Sequence, residues 1–211
     1  MPRKPRPLER DSDVVRDANL IVIASEDTHA VQTYFQRFRP RRVQFKVLPT
    51  DDCRSAPTFI AERLDQFRRE YNLDDDDQLW YCGDIDHWAR GNHISNLRMV
   101  LQHCRQAKYH VALSNPCFEL WLLLHFIDLP VGMTLCADVC QQLSGVGGGY
   151  SKEHGCGTEL NSNMVWEAVR RANALDVGTD EIPDRVTTRV YRILDLLLKR
   201  EQIVVGDIPQ N

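Results

Sequence analysis

Short apolar runs alternate with amphipathic stretches four times over the first half of this chain. Leu20-Ile21-Val22-Ile23-Ala24 is a compact, β-branched run, and Ala30, Val31, Tyr34, Phe35 and Phe38 follow it at helical spacing. Val43 to Leu48 alternates as a strand, Pro49 to Ser55 reads as a loop, and Pro57 opens a helix to about Tyr71 with Phe59, Ile60, Leu64 and Phe67 on one face. Leu79 to Gly83 gives a third strand, 91 to about 106 a third helix carrying Ile94, Leu97, Val100 and Leu101, and Lys108 to Leu113 a fourth strand. Strands alternating with helices predict an α/β protein whose mostly parallel four-stranded sheet is joined by right-handed crossovers and flanked by helices.

Ser114-Asn115-Pro116 then leads into Cys117-Phe118-Glu119-Leu120-Trp121-Leu122-Leu123-Leu124-His125-Phe126. Asn115 suits an N-cap and Pro116 a first helical position, so a buried helix is predicted from here. Beyond it the pattern is helical at about 134–143, 158–176 and 186–200, with Thr187-Thr188 at the start of the last helix. A glycine-rich loop, Gly145 to Lys152, separates the first two. These readings divide the chain into a basic tail at 1–17, an α/β core at 18–130, a helical C-terminal extension at 131–200 packed on the core, and a tail at 201–211.

The chemistry gathers where strands end. Trp80-Tyr81-Cys82-Gly83 stops at Asp84-Ile85-Asp86-His87, and two carboxylates one residue apart at a strand end can face a single divalent cation. Asp-x-Asp also arises as turn chemistry. Glu26, where the first strand hands over to the first helix, strengthens the metal reading, because ligands of parallel sheets gather outside the carboxyl ends of strands. Glu119 is the lone acid of an apolar helix and must meet solvent, a cation or hydrogen-bond donors. His125 lies six residues on, about 240° around a helix, and reads as a core histidine.

With 211 residues, 43% hydrophobic and 27% charged, the chain is long enough for one compact unit. No apolar run approaches the roughly 18 residues of a membrane span, and no signal-peptide segment follows Met1-Pro2-Arg3-Lys4, so a cytoplasmic protein is expected. A net charge of −4 exerts no global pull on nucleic acid. Locally, Arg3, Lys4, Arg6 and Arg10 make a tail expected to be disordered alone, Arg37, Arg39, Arg41 and Arg42 crowd the end of the first helix, and Asp74 to Asp77 is an acidic tract. Arg37, Arg39 and Lys152 are candidate phosphate contacts; helix-dipole compensation accounts equally for Arg37 and Arg39.

The seven cysteines, odd in number and mostly in apolar surroundings, read as free thiols of a reducing compartment. Cys136, Cys140, His154 and Cys156 offer a weak Cys₃His zinc pattern.

Glu26 with Tyr34-Phe35, Asp84-x-Asp86-His87, Ser114-Asn115-Pro116-x-Phe118-Glu119-x-Trp121-Leu122 and Tyr150-x-Lys152, in that order, resemble the RloB family from about residue 18 to 198. That family is similar in fold to Toprim domains and includes the second component of AbiL-type abortive-infection systems. The resemblance implies a Toprim-like core and a metal-dependent nuclease, cutting RNA or DNA in bacterial antiphage defence under the control of an AAA/ABC-type ATPase encoded nearby. By the same resemblance Glu26, Asp84 and Asp86 take the places of the acids that bind Mg²⁺ or Mn²⁺. Glu119 joins them as a catalytic candidate, and His87, Ser114 and Asn115 are orienting candidates. A homo-oligomer is left open. The turn Glu26-Asp27-Thr28-His29-Ala30-Val31 departs from the family's Glu-Gly-Glu-x-Thr-Glu, which motivates the alternative of a catalytically weak binding or sensor subunit.

Overall fold

The computed structural model describes residues 3–8, 18–38, 40, 42–50, 56–86, 88 and 93–199. Four α/β alternations open the chain: β1 (Asn19–Ser25), α1 (Thr28–Phe35), β2 (Val43–Val47), α2 (Pro57–Glu70), β3 (Gln78–Asp84), α3 (His93–Ala107), β4 (His110–Asn115) and a short α4 (Glu119–Leu123). After them come α5 (Cys136–Val146), a hairpin of β5 (Tyr150–Ser151) and β6 (Gly155–Cys156), α6 (Ser162–Leu175), β7 (Thr187–Thr188) and α7 (Tyr191–Lys199).

The main sheet runs β2-β1-β3-β4-β7, parallel except for β7. Its central strands are apolar on both faces because helices cover both sides. Ile21, Ile23, Trp80 and Cys82 face a core built with α1 and α4 to α7, whereas Leu20, Val22, Leu79 and Tyr81 face a second core against α2 and α3. Alternation along β1 and β3 therefore assigns each residue to one of two layers.

The sheet has five strands rather than four. Thr187 and Thr188, expected at a helix start, instead pair antiparallel with Asn115 and Ser114, and the hydroxyls of Ser114 and Thr188 lie 2.8 Å apart. β-Branched residues beside an open strand edge satisfy its backbone groups and pack well on a pleated surface. The same pairing corrects the role of Asn115. It does not cap a helix, because its backbone belongs to β4 and its side-chain amide donates to Pro183 O at 3.1 Å. The peptide to Pro116 is cis, and α4 starts at Glu119, three residues beyond that proline.

The glycine-rich stretch, read as a loop, closes α5 and then enters the β5–β6 hairpin. Gly155 there has φ +73, a conformation that disfavours any side chain, and it lies against the Arg37 guanidinium. Near the amino terminus Lys4 bridges Tyr71, while Arg6 reaches Asp74 at 2.8 Å and Asp77 at 3.2 Å. Asp77 also accepts from Leu20 N at 2.8 Å, so the acidic tract anchors the start of β1.

Candidate functional site: a carboxylate cluster at the sheet's switch point

The chain leaves β1 toward β2 on one side, while β3 lies on its other side. This reversal opens a crevice beyond the carboxyl ends of β1 and β3. The register sets Ser25 beside Cys82, so Glu26 follows one strand end and Asp84 closes the other. The end of β1 is held firmly. Arg63 of α2 donates to Ser25 O at 2.5 Å and to Thr50 Oγ1 at 2.9 Å, and Thr50 Oγ1 donates to Ser25 O at 3.1 Å. Beyond β3, Ile85 N donates to Ser114 O at 2.9 Å, and Asp86 N lies 3.3 Å from Pro116 O. These contacts tie the Asp84-Ile85-Asp86 turn to the Ser114-Asn115-Pro116 segment.

Half-buried Glu26 and Asp84 and buried Glu119 share this crevice, with Asp27 and Asp86 beside them. Glu26 accepts a short hydrogen bond from the Trp88 indole. Its carboxyl is raised to about 7, first by burial and then by the charges of Asp86 and Asp27, against the lowering effects of Trp88 and Lys152. Asp84 is pushed well above the usual carboxylate range by burial and by Glu26, Glu119 and Asp86. Glu119, 2% exposed, has the partners its burial demands: Tyr150 Oη donates to its Oε1 at 2.9 Å, and Lys152 Nζ lies 3.8 Å away.

Among the described residues, Lys152 is the cation of the cluster. It forms an ion pair with Asp27 at 2.7 Å, and Asp27 also caps α1 by accepting from Ala30 N at 3.0 Å. Burial would raise the Asp27 carboxyl, but Lys152 and the amides of Ala30 and His29 hold it below its ordinary value. Lys152, which burial alone would lower, is raised to about 12 by Asp27 and Glu119.

The other candidates lie as follows. Ser114 is spent on Thr188 and Asn115 on Pro183, so both shape the backbone beside the crevice. Arg37 packs over Gly155 beside the hairpin. His87 and Arg39 lie outside the described residues. His125 is a core residue, with Nδ1 donating to Trp121 O at 2.9 Å and Nε2 3.1 Å from Tyr34 Oη. Trp88 escaped the sequence reading, although a tryptophan two residues past Asp-x-Asp, in a segment otherwise polar, was a usable signal.

The cysteines differ from expectation. Cys117 and Cys136 form a disulfide, because the residues leading into α4 lie directly against the first turn of α5. Cys82, Cys104, Cys140 and Cys156 are free. The Cys136, Cys140, His154 and Cys156 set does not assemble. Cys136 and Cys140 instead face Cys117 and Glu119, and among the described residues these four alone bring their ligand atoms within 4.8 Å of one another. The oxygens of Glu26, Asp84 and Asp86 interact electrostatically without forming so tight a group. Mg²⁺ needs only one or two carboxylates and keeps several waters, so the all-oxygen donor set of Glu26 with Asp84 fits a hard cation.

Fold and site define an α/β protein with a carboxylate cluster at the topological switch point of its sheet. Residues 21–197 match the family described as RloB-like protein, and the chain belongs to that family. No curated protein and no solved structure matches it. No helix among the described residues is long and apolar enough to cross a membrane.

Proposed function

We propose that this RloB-like protein is a metal-dependent nuclease with a Toprim-like core, hydrolysing phosphodiester bonds of RNA or DNA in an antiphage abortive-infection system. The observation that carries the reading is the juxtaposition of Glu26 and Asp84 across the β1–β3 crevice, both with raised carboxyl pKa values. Burial and mutual repulsion make adjacent carboxylates costly, and a divalent cation offsets that cost. Bound there, Mg²⁺ or Mn²⁺ would polarise a phosphodiester and lower the pKa of an attacking water.

The chain's own residues then have separable roles. Glu26 and Asp84 would hold the cation, with Asp86 adding negative charge beside them. In the metal-free protein Glu26 titrates near 7, so a cation binding there would displace its proton. Trp88 fixes the Glu26 carboxylate, and Lys152 is placed to exchange Asp27 for a phosphate oxygen of an incoming strand. The defence setting and the control by a partner ATPase rest on the family resemblance.

The second reading, a catalytically weak binding or sensor subunit, is favoured by one observation: Lys152 already neutralises Asp27 and approaches Glu119. Cleavage of labelled total RNA and of plasmid DNA in Mg²⁺ and in Mn²⁺, with and without the neighbouring gene product, separates the two. The nuclease reading expects metal-dependent cutting that the Glu26→Gln/Asp84→Asn double variant loses. No cutting in any arm makes the binding subunit the better account.

A further inference from the structure

Four ligand-bearing side chains converge beside the acidic crevice but contribute a different chemistry. Cys117 follows the cis-proline step after β4, and Glu119 opens α4 two residues later. Cys136 and Cys140 stand one turn apart on α5, so both present sulfur to the same side of that helix. Cys136 Sγ lies 3.9 Å from Cys140 Sγ and 3.9 Å from Glu119 Oε2. All four ligand atoms fall within 4.8 Å of one another.

We infer that the reduced chain binds one Zn²⁺ through Cys117, Cys136, Cys140 and Glu119. The spacing suits the ion. Tetrahedral zinc with ordinary Zn–S and Zn–O bonds sets its ligands about 3.5–3.8 Å apart, close to the separations from Cys136 to Cys140 and to Glu119. The carboxylate is also aimed for it. Tyr150 Oη takes Glu119 Oε1, which leaves Oε2 facing the sulfurs, in the way an outer hydrogen bond orients a metal-bound ligand.

Three thiolates select a thiophilic ion over Mg²⁺, so this site and the all-oxygen crevice would sort their metals by ligand type. Cys117 and Glu119 are buried and Cys136 and Cys140 half-buried, as a closed structural site requires. Zinc here would fasten the start of α4 to α5 without consuming the Glu26 and Asp84 carboxylates.

The disulfide and the metal site exclude each other, since the Cys117–Cys136 bond removes two of the three thiolates. Opening it takes two electrons and two protons from a dithiol reductant, which leaves as its own disulfide. Zinc binding to the three thiols then releases three protons. The charge left by three thiolates and one carboxylate around Zn²⁺ is partly offset by Lys152, whose ammonium lies 3.8 Å from Glu119 Oε1.

The test uses the full chain, treated with a dithiol, freed of it without air, and titrated with Co²⁺ and then Zn²⁺. One equivalent of Co²⁺ should produce thiolate-to-cobalt charge-transfer absorption with tetrahedral d–d bands, and one equivalent of Zn²⁺ should abolish both. The chain with its disulfide intact should lack the charge-transfer band and the Cys140→Ser variant should show it weakened or lost, whereas Cys82→Ser should keep it at full strength. A reduced wild-type chain without that band overturns the proposal, as does a band of equal strength in Cys140→Ser. Neither outcome depends on cleavage activity, so this site and the nuclease reading stand or fall separately.

Discussion

Lys152 Nζ sits 2.7 Å from Asp27 Oδ2, which joins the β5–β6 hairpin to the residue that caps α1 and follows Glu26. The contact does more for the field of the crevice than for stability. Lys152 is 55% exposed, and exposed ion pairs contribute at most about 1 kcal/mol. Its charge lowers the pKa of both Glu26 and Asp84. Lys152→Met should therefore change stability by less than about 1 kcal/mol while moving the Glu26 midpoint above about 7. Carboxyl ¹³C NMR titration reads this directly, and an unchanged or lower midpoint contradicts it.

Glu26 should make the metal-free protein less stable as pH rises. Its folded pKa, about 7, lies above the ordinary value of 4.5, so its protonated form is the one the fold favours. That contribution is fully present below pH 4.5 and is lost as pH rises through about 7. Glu26→Gln should then be more stable than wild type at pH 8 by about 1–3 kcal/mol, with the gain vanishing at pH 4. Urea unfolding at the two pH values checks this, and saturating Mn²⁺ should reverse the order at pH 8.

His125 contributes the opposite dependence. Burial lowers its pKa from 6.5 to about 4, despite its hydrogen bond to the Trp121 carbonyl. The neutral ring belongs to the fold, so its contribution is present above pH 6.5 and is lost as pH falls to about 4. His125→Asn should be destabilised at pH 7, and the gap to wild type should narrow by up to about 3 kcal/mol between pH 6.5 and 4. A gap constant across that window would show that His125 does not titrate on unfolding.

Away from the crevice, Asp176 holds Arg189 at 3.0 Å, and both side chains are almost wholly buried. Arg189 also donates to Asp180 O at 2.6 Å and Glu181 O at 2.8 Å, and its backbone N–H donates to Leu113 O of β4. Asp176 accepts as well from Tyr191 Oη and Arg192. Removing one partner of such a pair leaves an uncompensated charge, so Asp176→Ala should cost about 3–5 kcal/mol in equilibrium unfolding. A double change of Asp176 and Arg189 to apolar residues should cost less than the single one.

The layers were legible because each strand of the parallel core is a continuous apolar run and each early helix carries one apolar face. Glu26 and Asp84 were legible for a related reason: the end of an apolar run locates the end of a strand. The β7 edge was hidden because two threonines are too short a run to separate a strand from a helix start. The β5–β6 hairpin was hidden in glycines whose backbone conformations a sequence does not reveal. Asn115-Pro116 misled because the residues that favour a helix start also suit a turn after a strand, and only the pairing with Thr187 decides between them. The Cys117–Cys136 bond and the thiol cluster depend on α4 meeting α5, a tertiary contact that spacing along the chain does not encode.

The most direct test of the central claim is an electron paramagnetic resonance titration of Mn²⁺ into the purified protein at pH 8, with Glu26→Gln and Asp84→Asn run beside it. At least one tight site is expected in the wild type, weakened by more than about 10-fold in each variant, since loss of even an outer-shell partner costs about 10–100-fold in metal affinity. Equal Mn²⁺ binding by wild type and both variants would contradict it and would leave Glu26 and Asp84 as strand-end acids without a metal.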